Sequence, residues 1–315
     1  MVRQFLCFSV IFLIGCTRTV PPASVVKVED RPLPAVTQHR PAGKFTSIRI
    51  KGIMNVSLHT GYARPAVILR GDPRDLAEVH TFVKNNTLFI KVGEGYPHHG
   101  GINAEIRGHF LNSFRYQGIG TITGTRLHSS LLDVSIDNKG KTTLGGDISL
   151  RTLDVKGSGL VQVTGIHSPG LRLHIAGKPK VQLVGVANLA SLNIDDDAWM
   201  SLYWIKTKLL VVRAKGNSFM QLAGVADRLD VELCGKAHFN GRYLRANRAF
   251  VKTHDQSIAE ISAVKRQHTL ASDASDIHFY NIPQMKADFM AFNGSVLDMR
   301  DWNMPFIQEY NRYNK

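Results

Sequence analysis

The sequence predicts an all-β protein: a right-handed parallel β-helix, or solenoid, of about ten coils with an N-terminal β-rich head. Three observations carry that expectation. First, one phrase recurs: VQVTGI begins at Val161, VQLVGVA at Val181 and MQLAGVA at Met220, steps of 20 and then 39 residues, one period and two. Second, apolar residues alternate with polar ones around each copy, the period of a strand with one buried face. Third, no helical stretch separates the copies, which excludes βαβ units and suits strand–turn–strand coils stacked on one another.

The chain opens with MVRQFLCFSVIFLIGC, where one basic residue (Arg3) precedes an apolar run. That run is too short to span a bilayer and has the plan of a signal peptide over residues 1–15. Leu13-Ile14-Gly15-Cys16 resembles the bacterial lipobox. The resemblance implies cleavage before Cys16 and its lipidation, a palmitate-type anchor in which each buried CH2 adds about 0.8 kcal/mol of membrane affinity. Thr17 after the cysteine implies, by the sorting rule of such lipoproteins, delivery to the outer membrane. The third cysteine, Cys234, would then have no partner, so packing rather than a disulfide must hold the fold.

Residues 16–43 carry five prolines (Pro21, Pro22, Pro32, Pro34, Pro41) and read as an extended linker, at about 3 Å per residue. The whole chain holds 39 Lys+Arg against 25 Asp+Glu, a net +14 that becomes +13 when Arg3 leaves with the signal. Such a surplus favours anionic neighbours such as phosphorylated lipid headgroups, lipopolysaccharide, acidic envelope glycans or nucleic acid. Nucleic acid is set aside as a partner, because no recognised motif is present and the export signal removes the chain from the cytoplasm.

The head, residues 44–113, has its own pattern: Ile48-x-Ile50-x-Gly52-x-x-Asn55-Val56-x-Leu58-x-x-Gly61, then Val67-x-Leu69-x-Gly71-Asp72 and Asn86-Thr87-Leu88-x-Ile90. Between them LAEVHTFV (Leu76 to Val83) fits a short amphipathic helix, and the head is expected to cap the first coil, whose open edge would otherwise invite aggregation. This arrangement resembles the bacterial GIN-type domain family, the putative auto-transporter adhesin heads, in which such strand pairs lead into glycine-rich β-helical coils. The likeness extends over most of residues 44–300, with Gly157-Ser158-Gly159 as the cleanest glycine-rich step. It implies an envelope protein, often a lipoprotein, with no catalytic residues to carry over.

From Phe114 to residue 300 the coils follow one template. A Leu-x-Val pair opens each copy, Gly, Asn or Asp follows six residues later, and apolar residues return at ten and twelve. Leu171-x-Leu173, Gly177, Val181 and Leu183 make one copy; Leu210-x-Val212, Gly216, Met220 and Leu222 make another. Looser copies open at Leu132, Leu153, Leu192, Leu229, Ala249, Leu270 and Ala287, at intervals of 17–21 residues. Gly159, Gly177, Gly216, Gly235 and Asn138 stand where a turn needs positive φ. Leu183 and Leu222 should share an interior column two coils apart, with Val163 below Leu183, while Gln162, Gln182 and Gln221 face outward.

Candidate chemistry is sparse. Asp195-Asp196-Asp197 is the one acidic cluster that suggests a polysaccharide-active enzyme, since β-helical hydrolases and lyases pair carboxylates on adjacent coils. A calcium site and a solvated turn paired with Lys178 and Lys215 are its other readings. His98-His99 lie in the Gly/Pro loop GYPHHGG, and adjacent histidines seldom share a metal; no metal or cofactor is expected. Arg242, Arg245, Arg248 and Lys252, with Tyr243 alongside, form a candidate anion patch. In the tail, residues 301–315, Trp302, Phe306, Tyr310 and Tyr313 with Arg312 either cap the last coil or dock a partner. The expectation is therefore a non-catalytic envelope lipoprotein that presents a long binding face. Its alternatives are the enzyme and an accessory lipoprotein of a secretion or cell-wall complex.

Overall fold

The structure, a computed structural model, describes residues 33–280 and 286–299. Cys16, the signal segment, Trp302 and Tyr310 lie outside the described residues. The head contributes β1 (Val36–Pro41), β2 (Ser47–Ile53), β3 (Asn55–His59), β4 (Ala66–Gly71), α1 (Pro73–Ala77), β5 (Val79–Lys84), β6 (Thr87–Val92) and β7 (Asn103–Arg107). Two sequence expectations change here. Residues 36–41 are not linker: β1 pairs antiparallel with β4, and the Leu33 N–H donates to Asp72. The expected helix over 76–83 ends at Ala77, because β-branched Val79, Thr81 and Val83 instead join β6 in a hairpin. Asn85 and Asn86, both at positive φ, make its two-residue turn.

The head is already part of the stack. β2 pairs in parallel with β6 on one side and with β8 (Ser113–Ile119) on the other; β3 pairs likewise with β7 and with β9 (Ile122–Asn138). Stacking thus runs through residue 113 without a break. At the outer end the antiparallel strands β1, β4 and β5 close the edge, so the capping expected of the head is done by strands that cannot template a further parallel coil.

Beyond β9 each coil is one long strand bent at two corners: β10 (Lys141–Gly157), β11 (Leu160–Ile175), β12 (Lys180–Ile194), β13 (Trp199–Ala214), β14 (Phe219–Leu233), β15 (His238–Thr253) and β16 (Ile258–Ser272). Every neighbouring pair is parallel, and register shifts between Leu202 and Ile205 or between Asn240 and Arg245 mark the corners. β17 (Asp276–Phe279), β18 (Lys286–Phe292) and β19 (Ser295–Asp298) are short strands that each cover part of a turn. For that reason the solenoid has about nine turns where the sequence spacing suggests about ten.

The repeated phrase is explained by register. Val163 pairs with Leu183, Leu183 with Leu202 and Leu202 with Leu222, all four fully buried in one interior column. Gln162 Nε2 donates to Gln182 Oε1 at 2.8 Å, the start of an amide ladder on the opposite face. Buried Ser201 interrupts that ladder before Gln221. The turn column is also real but sits two residues earlier than expected in one coil. Gly157, Gly177, Gly216 and Gly235 have positive φ, whereas Asn138 and Gly159 do not. Asn138 instead bridges the Gly120 and Gly140 backbones through its side chain, and Gly159 is needed because a Cβ there would stand 2.1 Å from the Gly140 carbonyl oxygen.

Truncation inside the Leu column should be costly and truncation outside it cheap. Leu202→Ala is expected to lower the free energy of unfolding by about 3 kcal/mol, and Gln221→Ala by under about 0.5 kcal/mol, in guanidinium titrations. Equal effects of the two would contradict the assigned faces.

Candidate functional site

The acidic turn is structural in its contacts. Asp196 occupies the turn column at φ +63, where neighbouring coils carry Gly177 and Gly216. Its Oδ2 accepts the Gly177 N–H at 2.9 Å, as Asp255 Oδ2 accepts the Gly235 N–H at 2.8 Å. Aspartate tolerates this backbone region and caps the turn below it. Asp197 pairs with exposed Lys178 at 3.0 Å. With glycine at the equivalent place one coil on either side, no second carboxylate faces Asp196 across the coils, the arrangement that acid–base cleavage of a glycoside needs.

The histidine loop is likewise anchored. Both carboxylate oxygens of fully buried Asp75, on α1, accept the His98 and His99 backbone N–H groups at 3.0 and 2.9 Å, and His99 Nδ1 lies 3.0 Å from Asp75 Oδ1. Burial raises the Asp75 carboxyl, but these bonds outweigh it and hold the group below the usual aspartate value. Among the described residues no group of three His, Cys, Asp or Glu side chains could hold a metal ion. Among them, too, no helix is long and apolar enough to cross a membrane.

Arg242, Arg245, Arg248 and Lys252 do not form one patch. Three-residue spacing gathers side chains on a helix, but β15 turns its two corners between Asn240 and Arg248, so the corners separate Arg242 and Lys252 from the stretch that carries Arg245 and Arg248. Lys252 stands in register with Glu232. Arg242 donates to Glu260 Oε2 at 2.6 Å and to the Tyr280 hydroxyl at 2.9 Å, with its guanidinium 4.6 Å from the Tyr280 ring centroid. His238 Nε2 is 3.0 Å from Glu260 Oε1. This network fastens three consecutive coils to one another. Burial pushes the Glu260 carboxyl up, yet His238 and the Arg242 charge prevail and leave it below its ordinary value of 4.5.

A different cation surface emerges between the two corners. The stretches Ile205–Leu209, Val225–Arg228, Arg245–Arg248 and Ala263–Arg266 lie side by side on β13, β14, β15 and β16. They bring together Lys206, Lys208, Arg228, Arg245, Arg248, Lys265 and Arg266. The stretches themselves hold one acid, Asp227, which accepts from Asn247 at 3.0 Å, and Arg228 and Arg266 also pair with Asp230 and Asp288 beside them, at 3.7 and 3.6 Å. Arg228, Arg248 and Arg266 are direct register partners, one per coil. Lys206, Lys208, Arg245 and Asn247 line a shallow open groove of about 680 Å³. The sequence signal was present as a recurrence of Arg at intervals of 20 and 18 residues. Only the register shows that these positions coincide.

The family model described as "Putative auto-transporter adhesin, head GIN domain" matches residues 44–193 and again 149–283, two overlapping placements along the same ladder. Among solved structures, a putative adhesin from Parabacteroides merdae is 13% identical over 84% of this chain and 97% of that chain, with a TM-score of 0.44. A putative adhesin from Parabacteroides distasonis is 11% identical over 83% and 96%, TM-score 0.44. A putative lipid binding protein from the same species is 11% identical over 84% and 97%, TM-score 0.41. Comparison with curated proteins finds no match.

The Glu260 network makes stability pH-dependent. A carboxyl depressed in the folded state stabilises fully above its unfolded value and loses that contribution as pH falls through the folded value. Glu260→Gln should cost about 2–3 kcal/mol at pH 7 and should flatten the loss of stability below about pH 4.5. Denaturant titrations across that range check it; an unchanged acid limb would show that the pair contributes nothing.

Proposed function

The chain belongs to the GIN-domain family of putative auto-transporter adhesin heads, and from that membership we propose that it is a non-catalytic envelope lipoprotein whose β-solenoid presents a binding face. One observation supports the reading above others: the family match covers residues 44–283, the length over which the coils carry extended lateral surface and the acidic turn is occupied in capping backbone. Rigid stacked coils suit binding, because a preorganised surface loses little conformational entropy on association.

In this reading Cys16 carries the acyl anchor, the protein resides in the outer membrane, and the bound partners are anionic envelope glycans, lipopolysaccharide or other envelope proteins. The basic face across β13–β16 supports an anionic partner, since clustered cations raise both the local concentration and the encounter rate of polyanions. Arg245 and Arg248 belong to that face. Arg242 serves the coil-to-coil network, and Lys252 stands beside Glu232 on another side.

Two measurements test the proposal. Cys16→Ser should move the protein from the membrane to the soluble fraction of fractionated cells. The purified body should bind acidic glycans with an affinity that falls steeply with salt, and incubation should leave those glycans uncleaved. An unaltered membrane fraction for Cys16→Ser would refute the anchor. Glycan cleavage abolished by Asp196→Ala would refute the non-catalytic reading and restore the enzyme.

A further inference from the structure

At the first corner the coils of β10, β11, β12 and β14 place a glycine at positive φ, whereas β15 and β16 turn it without one. Gly146, Gly165, Gly185 and Gly224 pass through it at positive φ, and a Cβ on Gly224 would stand 2.1 Å from the Ile205 carbonyl oxygen. In β13 the same corner is taken by Trp204, at φ +68. A bulky aromatic residue in the left-handed region is strained, and such strain persists where something other than local stability retains it. Packing does not compensate here, because Trp204 is 70% exposed.

Its surroundings are equally unusual for a soluble surface. Ala187 pairs with Ile205, so Val186 and Trp204, the residues just before them, stand at neighbouring levels. Val184 pairs with Tyr203, and Val225 pairs with Lys206. Val184, Val186, Tyr203 and Val225 are all exposed, and Leu209, exposed too, lies further along in register with Arg228. An exposed apolar cluster around a projecting tryptophan thus adjoins the cation-rich face of β13–β16.

We propose that this face, with Trp204 at its apolar end and Lys206, Lys208 and the Arg228–Arg248–Arg266 column at its basic end, docks on the surface of an anionic phospholipid bilayer. The chemistry selects a lipid surface over a sugar chain. Exposed valines and a leucine gain less against a hydroxylated polymer than by partitioning into the boundary between headgroups and acyl chains. Tryptophan favours that same boundary. Adjacent Lys and Arg are drawn to the negative potential of acidic headgroups. The contact needs no acyl group and is separate from the proposed anchor at Cys16.

The test uses the chain from Thr17 onward, made without the signal segment and the acyl anchor and purified, in cosedimentation with vesicles of phosphatidylcholine alone or mixed with phosphatidylglycerol. Binding is expected only with phosphatidylglycerol, and it should fall as salt is raised. Trp204→Gly should weaken binding about tenfold while leaving the melting temperature unchanged or higher, because glycine relieves the strained corner. Lys206→Glu with Lys208→Glu should weaken it comparably, without loss of fold. Equal binding to both vesicle types, or wild-type binding by Trp204→Gly, would overturn the proposal. Absence of vesicle binding alongside salt-sensitive binding to an acidic polysaccharide would also overturn it, while leaving the broader adhesin-like reading in place.

Discussion

The parallel backbone ladder between coils is the constraint on which everything else in this molecule depends. Along the strands, backbone N–H and C=O groups pair with the coil above or below, at a strand spacing of about 4.8 Å. Side chains at equivalent positions must therefore share a column. Inward positions favour apolar side chains from level to level, as in Val163, Leu183, Leu202 and Leu222, although Gln267 and Thr142 also stand buried in such columns. Some bends are made by a residue at positive φ, by glycine at Gly185 and Gly224 and by a residue with a side chain at Asp196, Asp255 and Trp204. The same ladder leaves open edges, and the antiparallel strands β1, β4 and β5 close the N-terminal one.

Much of this was legible in the sequence, because a ladder makes distant positions repeat one another. The Gln-Leu-x-Gly-Val phrase gave the period and assigned Leu183 and Leu222 to one column. The glycines at 177, 216 and 235 marked a genuine turn. Three features were not legible. The head strands Ile48–Ile50 and Val56–Leu58 belong to the stack, but their partners lie across the inserted hairpin and cap, so no fixed interval reveals them. The stretch Leu76–Val83 has apolar residues at spacings that suit a helix as well as a strand, and cross-strand pairing to β6 decides the matter. Asn138 looks like a turn residue and is one, yet it works through its amide side chain, not its φ.

The candidate site shows the same division. Cations three or four residues apart look clustered in one dimension, but a strand that bends twice separates Arg242 and Lys252 from Arg245 and Arg248. Cations nearly one period apart look unrelated and become neighbours, as Arg228, Arg248 and Arg266 do. Function in a solenoid is written at the period of the coil, and local motif reading passes over it. The acidic triplet illustrates the converse: it resembles a reactive cluster, while its contacts are those of a turn cap and a surface ion pair.

The register itself can be measured. In a Cys234→Ser background, cysteines placed at Gln162 and Gln182, paired positions on adjacent coils, stand at a separation that a disulfide can bridge. Cysteines at Gln162 and Val184 are displaced by two residues along the strand. The account predicts rapid, near-complete cross-linking of the first pair under mild oxidation and little in the second. Preferential cross-linking of the displaced pair, or none in either, would contradict the stacking on which the whole interpretation rests.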